Sequence, residues 1–260
     1  VKNIGEDRTV KLLRSPYIPG GKVIAMLVSH DMPEEMVNTL KGIVPVLIRT
    51  MPMAGLPTPV SNHPDMQLVI PTEGVIVHAP NLHPQVAAQL SALGYELVPG
   101  ETNPAGNYPG DVAYNVAVVG RHAFLNTRYA DRVVLNWLEK TGKTISHVNQ
   151  GYAKCSVCIL NEEALITADE GIFRVARGLK MDALLIPPQK SISLPGYDYG
   201  FIGGSTGLVS RCEMVFGGDA RMLDSAEEIL SFLQKHGVQP VSLGSCAVLD
   251  LGSLIPLCTV

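Results

Sequence analysis

Charge is scarce in this sequence. Of its 260 residues only 17% are Asp, Glu, Lys or Arg, and no Lys/Arg cluster interrupts a formal charge of −4, set by 20 basic against 24 acidic side chains. Sequence-independent binding to nucleic acid needs a basic stripe that neutralises phosphates, so no nucleic-acid partner is expected. Long apolar runs are absent too. A membrane span takes roughly 18 apolar residues, and the best run, from Lys22 to Ser29, has the length of a strand, so no membrane partner is expected. The opening, Val1 to Asp7, is mixed polar and lacks the pattern of a secretory leader. Cysteine is sparse and odd in number: Cys155, Cys158, Cys212, Cys246 and Cys258 have no regular spacing. That excludes a disulfide framework and suits reduced thiols in a cytoplasmic protein. Cys155 and Cys158 form a single Cys-x-x-C with no second pair, so no metal is expected, and no cofactor motif is present either.

What is abundant is apolar: 46% of the residues are hydrophobic, enough for a sizeable core. The apolar runs recur in a fixed order of strand, turn, strand, helix, strand. One copy runs from Met66 through the turn Thr72-Glu73-Gly74 and the helix Pro84 to Leu93 to the strand Tyr95 to Val98. A second spans Val112 to Val148, a third Cys155 to Ile186, and a fourth Thr206 to Leu243. Two fragments remain, Lys22 to Arg49 at one end and Ala247 to Leu257 at the other; joined, they make a fifth copy. The first strands then start near Met66, Asn115, Cys155, Ser205 and Ser253, a step of 40 to 50 residues each time (66 to 115, 115 to 155, 155 to 205, 205 to 253). Periods of this size mark a repeat architecture, and a unit shared between the termini hides its sheet edges. The fold class expected is therefore α/β, a five-bladed ββαβ propeller whose ring is closed by the C-terminal strand pairing with the N-terminal unit. An ordinary open α/β sheet is the alternative. Residues 1–21, ending in Pro19-Gly20-Gly21, read as a loose N-terminal arm, and 22–260 as one domain.

Five such units resemble the pentein fold of the amidinotransferases and of the arginine, agmatine and peptidylarginine deiminases. The segments His63-Pro64-Asp65-Met66, Asp111-Val112-Ala113-Tyr114-Asn115, Gly151-Tyr152-Ala153-Lys154-Cys155 and Tyr199-Gly200-Phe201-Ile202-Gly203-Gly204 are similar to an uncharacterised bacterial family known by a domain-of-unknown-function label. The resemblance implies a Cys nucleophile opening the last inner strand, a His, and acidic residues that grip a guanidinium or amidine. Here that place holds Gly252-Ser253, and Cys258 lies five residues further on, so the usual mechanism does not carry over unchanged.

In such a ring the inner strand starts deposit His63, Asp65, Asp111, Asn115, Lys154, Cys155, Ser205 and Ser253 in one axial cavity, with Asp198 and Asp250 nearby. Polar turn-formers also favour these places, so turn chemistry alone accounts for part of the set. Pro64 biases His63 to an extended backbone. His63 then reads as a general acid/base with Asp65 as its orienter or as a cation clamp, or else Asp65 bonds its own backbone in a turn. Asp111 and Asn115, four apart, share one face if they lie on a strand, unless Gly110 carries a bulge. Cys155 is the nucleophile candidate, with a small buried core thiol as the plain alternative. Lys154 is adjacent, but on a strand it points away from Cys155. Gly203-Gly204-Ser205-Thr206-Gly207 lacks Walker spacing and reads as backbone crowding. The loops Met51 to Asn62 and Asn103 to Pro109 can cover the cavity.

Two functions follow. One is a hydrolase or amidinotransferase-like enzyme acting on a small cationic guanidino or amidine compound, with catalytic His63, Cys155 and Asp65 and with Asp111, Asn115, Lys154, Ser205, Asp198 and Ser253 binding substrate. The other is a non-catalytic module that binds a ligand or a macromolecule, a ligand sensor among its forms.

Overall fold

The computed structural model describes residues 10–106 and 108–260. Within them, five sheets share one plan: two antiparallel strands, a helix, and a third strand parallel to the second. The first of these sheets in the chain centres on Val23–Val28, buried at every position, with Val46–Arg49 parallel on one side across the helix Glu34–Lys41. Its other neighbour comes from the far end of the chain, since Ile255–Thr259 runs antiparallel to Val23–Val28. The remaining sheets are sequential. Leu68–Thr72, Val75–His78 and Glu96–Pro99 make one, with helix Pro84–Ala92; Ala117–Val119, His122–Leu125 and Thr144–His147 make another, with helix Arg132–Lys140. Val157–Asn161, Ala164–Thr167 and Asp182–Leu185 follow with helix Glu170–Gly178, then Thr206–Ser210, Glu213–Phe216 and Gln239–Ser242 with helix Ala226–Lys235.

Patterning explains the layering. First and second strands such as Val157–Asn161 and Ala164–Thr167 are almost wholly buried, as a strand covered on both faces must be, whereas third strands such as Glu96–Pro99 and Gln239–Ser242 are half-buried or exposed at every position. The helices bury one stripe, for example Val134 and Leu138 of Arg132–Lys140, whose start is capped by Asp131 accepting the Val133 N–H at 2.8 Å. Among the described residues, no helix is long and apolar enough to cross a membrane.

Three expectations need correction. The described part of 1–21 is not loose: Lys11–Leu12 pairs with Ile255–Thr259, and Leu13, Tyr17 and Ile18 are buried. Tyr17 packs into the molecule with its hydroxyl accepting the Ile70 N–H at 3.2 Å; residues 1–9 lie outside the described residues. Second, the first strands begin later than expected. Pro64–Gln67 and Ala153–Ser156 are single helical turns, and residues 111–116 form turns before Ala117. Proline in a helix's first turn is preorganised for it, which Pro64 satisfies. Third, Asp111 and Asn115 therefore do not share a strand face, and Lys154 is not turned away from Cys155 by strand alternation.

A two-stranded pairing not foreseen, Ile192–Ser193 with Val248–Leu249, ties the loop before Gly203 to the C-terminal segment and fixes Asp250, whose N–H donates to Ser193 O at 2.9 Å. The glycine-rich run is crowded as expected: a Cβ on Gly207 would stand 2.0 Å from Leu254 O. Gly207→Ala should therefore cost about 1–3 kcal/mol of stability by overpacking. Gly178→Ala, at a helix end with open space around it, should be neutral or stabilise by up to about 1 kcal/mol. Urea unfolding of both variants checks the contrast.

Candidate functional site

The segments leading into the five first strands meet in one buried hydrogen-bond cluster. The Asp65 N–H donates to Gly252 O at 3.2 Å, and Asn115 Nδ2 donates to Asp65 O at 3.2 Å. Asn115 Oδ1 accepts the N–H groups of Lys154 (2.7 Å) and Cys155 (3.3 Å). Gly204 N–H donates to Cys155 O at 2.9 Å, and Ser253 N–H to Gly204 O at 2.7 Å. Each of the five units thus touches the next through a residue just ahead of its inner strand. Those residues left the strand ladder, and their polar groups satisfy one another instead.

At the centre lies Asp65. Its Oδ2 accepts the Ser253 hydroxyl at 2.6 Å and the Cys155 thiol at 3.2 Å, while Oδ1 is buried without a partner. Lys154 Nζ donates to Ser253 Oγ at 2.8 Å, so a cation, a hydroxyl and a carboxylate stand in series. Ser253 has φ +74°, in the left-handed region, and follows Gly252 at φ +68°. A Cβ on Gly252 would stand 2.2 Å from His63 Cβ, so only glycine lets the His63 backbone lie there. His63 is extended before Pro64, as the sequence implies, and its Nδ1 is 3.9 Å from Asp250 Oδ1. Asp250 in turn accepts the N–H groups of Phe201 (2.8 Å) and Gly252 (3.0 Å).

Burial governs every ionisable group here. It pushes the Asp65 carboxyl up, partly offset by His63 and Lys154, and raises Asp250 to about 6 against its two backbone donors. It lowers Lys154, with Asp65 opposing, and lowers His63, with Asp65 and Asp31 opposing. Cys155 is pushed well above the ordinary thiol range by burial, then by the negative Asp65 and Asp250, with the Asn115 donor opposing. Thus at neutral pH Cys155 is a thiol and His63 is uncharged.

Above this cluster opens a cavity of about 240 Å³ lined by His63, Met66, Cys155 and Asp250, by Val60 and Leu194, and by Tyr152, Tyr197, Asp198, Tyr199 and Phe201. Of the expected site residues, His63, Cys155 and Asp198 face the cavity, and Asp65 reaches it through the thiol. Asn115 is buried beneath, donating to Cys155 Sγ at 3.0 Å. Asp111 is buried too, accepting the Tyr152 hydroxyl at 2.7 Å, with its second oxygen unpartnered and its carboxyl raised by burial. Lys154 and Ser253 lie below the cavity floor, and Ser205 is a buried link whose hydroxyl donates to Phe201 O at 2.8 Å. Cys258 is buried in the last strand, its thiol pushed up to about 11, and is not part of the cavity. Composition hid the aromatic wall. Only 5% of the chain is aromatic, yet the alternation Tyr197-x-Tyr199-x-Phe201 and Tyr152 beside Cys155 all serve this one cavity.

This α/β architecture is similar to the fold of the pentein amidinotransferases. It is similar to an inosamine-phosphate amidinotransferase from Streptomyces griseus (TM-score 0.57, 14% identity, covering 94% of this chain and 97% of that one). It is similar also to SxtG, an amidinotransferase of the saxitoxin biosynthetic pathway from Microseira wollei (0.52, 13%, 91% and 96%). A DDAH mutant from Pseudomonas aeruginosa complexed with citrulline is a third such structure (0.52, 11%, 86% and 93%). At these identities the likeness defines the fold alone. Within that fold the chain belongs to the Family of unknown function (DUF6873), whose model matches residues 27–255. No curated protein matches it in sequence.

The raised Asp250 pKa has a sign that can be tested. The folded state holds this proton more tightly than the unfolded chain, so the contribution to stability is full below about pH 4 and is lost as pH rises through about 6. The stability of wild type relative to Asp250→Asn should therefore fall by about 1.4 kcal/mol per pH unit within that window and be flat above it, measured by urea unfolding at stepped pH.

Proposed function

We propose that the protein is an enzyme acting on a small guanidino- or amidine-type cation held in this cavity, within a ring of five ββαβ units closed by Ile255–Thr259 against Val23–Val28. The observation that carries this reading is the meeting of a thiol, an uncharged imidazole and a buried carboxylate, Cys155, His63 and Asp250, on one aromatic-walled cavity. Support for the ring is the unit-to-unit succession of bonds from Gly252 through Asp65, Asn115, Cys155 and Gly204 to Ser253. Fold neighbours described as amidinotransferases and as a DDAH bound to citrulline are consistent with the substrate class.

The chemistry differs from the sequence expectation in its proton route, because the thiol bonds Asp65 and not His63. A planar cation in the cavity brings positive charge next to Cys155 and Asp250, offsetting the burial and the carboxylate repulsion that keep the thiol protonated. The thiol proton passes along the 3.2 Å bond to Asp65, whose raised pKa suits it to receive one. Sulfur attacks the central carbon and the carbon–nitrogen π pair moves to nitrogen; that π bond then re-forms as the bond to the departing amine breaks, and the amine leaves with the proton that Asp65 held. His63, neutral by burial, then takes a proton from water as its oxygen adds to the carbon of the thio-adduct; the carbon–nitrogen π bond re-forms as the carbon–sulfur bond breaks, and the proton on His63 returns to the sulfur, restoring the Cys155 thiol. Aromatic faces of Tyr152, Tyr199 and Phe201 hold the delocalised cation.

One observation favours a second reading, a sensor that binds the cation without turnover: Cys155 is neutral and hydrogen-bonded on both sides in the resting site. Alkylation separates the two. Chloroacetamidine should label Cys155 about tenfold or more faster than neutral chloroacetamide at pH 7, and Asp250→Asn should bring that ratio towards one. Intact mass and peptide mapping give the rates. Equal slow labelling by both reagents, together with a thermal shift by acetamidine, would establish the sensor instead.

A further inference from the structure

Aromatic rings do not stop at the cavity. From Tyr199, 6.3 Å from Phe201 between centroids, the row continues to Tyr152 (6.1 Å), Tyr108 (5.6 Å) and Tyr129 (6.3 Å). The inner members line the cavity, while the outer two are surface residues, Tyr108 51% and Tyr129 39% exposed. Five of the few aromatic side chains of this chain thus stand in succession, from the rings beside the buried Asp250 to exposed Tyr108 and Tyr129. A core has no use for the outer pair, because exposed rings forgo the burial that makes aromatics stabilising.

The line is built rather than incidental. Gly151 precedes Tyr152, and a Cβ there would stand 2.5 Å from Tyr108 Cε2, so the absence of a side chain at 151 is what lets the Tyr108 ring close on Tyr152. Tyr152 is oriented from behind by its hydroxyl bond to Asp111. The head of the row is acidic, with Asp250 and Asp198 lining the cavity; along the row itself, the Tyr152 hydroxyl is already engaged. An occupant charged at one end and flat along the rest matches this arrangement.

We propose that the substrate is an elongated cation, an amidinium or guanidinium bearing an aryl tail, whose head sits against Asp250 and whose tail stacks on Tyr152 and Tyr108. This rests on the cation reading of the cavity and adds to it an outer subsite. Stacking of one further ring on the row should contribute about tenfold in affinity.

The test is isothermal titration with four probes: acetamidine, benzamidine, biphenyl-4-carboxamidine and the neutral biphenyl-4-carboxamide. The biphenyl amidine should bind at least about tenfold more tightly than benzamidine. Tyr108→Ala should remove that advantage, Tyr108→Phe should keep it, and Gly151→Ala, which displaces the ring without removing it, should weaken it. Amidines that all bind alike would overturn the outer subsite and leave the cation site standing. A carboxamide that binds as well as its amidine would overturn both, since charge would then play no part.

Discussion

Everything at the centre of this molecule depends on a buried carboxylate. Asp65 accepts a hydroxyl from the C-terminal segment and a thiol from the turn ahead of Val157–Asn161, and its backbone bonds Gly252 and Asn115. Burying a carboxylate costs several kcal/mol unless hydrogen bonds and an opposite charge offset it. Here Ser253, Cys155 and the Lys154 ammonium behind Ser253 provide that offset. The arrangement stands only while all the contributing segments are in place, so the same contact that poises the thiol also fixes how the units meet.

Such a centre gives a resting state with little spontaneous reactivity. Cys155 is a protonated thiol because burial and two carboxylates disfavour its anion, and His63 is uncharged because burial disfavours its cation. Positive charge is the one missing ingredient, and the aromatic and acidic wall of the cavity is suited to supply it from a ligand. In the function proposed above, activation by the bound cation makes selectivity and reactivity one property: a neutral molecule that enters the cavity would leave the thiol inert.

Much of the architecture was legible in the sequence, because turn residues and apolar runs recur in a fixed order and each copy buries its strands the same way. The pairing of the two chain ends was visible for the same reason: the fragments Lys22 to Arg49 and Ala247 to Leu257 each lacked what the other had, and in the structure Ile255–Thr259 runs antiparallel to Val23–Val28. What was not legible was local. Asp65, Asn115 and Cys155 sit in turns, not strands, so strand alternation gave a false orientation for Lys154 and a false shared face for Asp111 and Asn115. Side-chain partners across 50 to 188 residues of sequence, such as Asn115 with Asp65 or Ser253 with Asp65, follow from the packed fold and leave no local signature. The aromatic wall lay within segments already conspicuous for their glycines, but its rings come from distant segments and become a wall only when those segments meet.

The central claim is that a bound cation triggers transfer of the Cys155 proton to Asp65, a transfer that burial and the neighbouring carboxylates oppose in the free site. The most direct measurement is the ultraviolet thiolate absorbance of wild type minus Cys155→Ser, followed against pH with and without acetamidine. The account predicts no Cys155 thiolate at neutral pH in the free protein and a thiolate step moved to lower pH when acetamidine is present. A thiolate already present at neutral pH without ligand, or a step that acetamidine leaves unmoved, would contradict it.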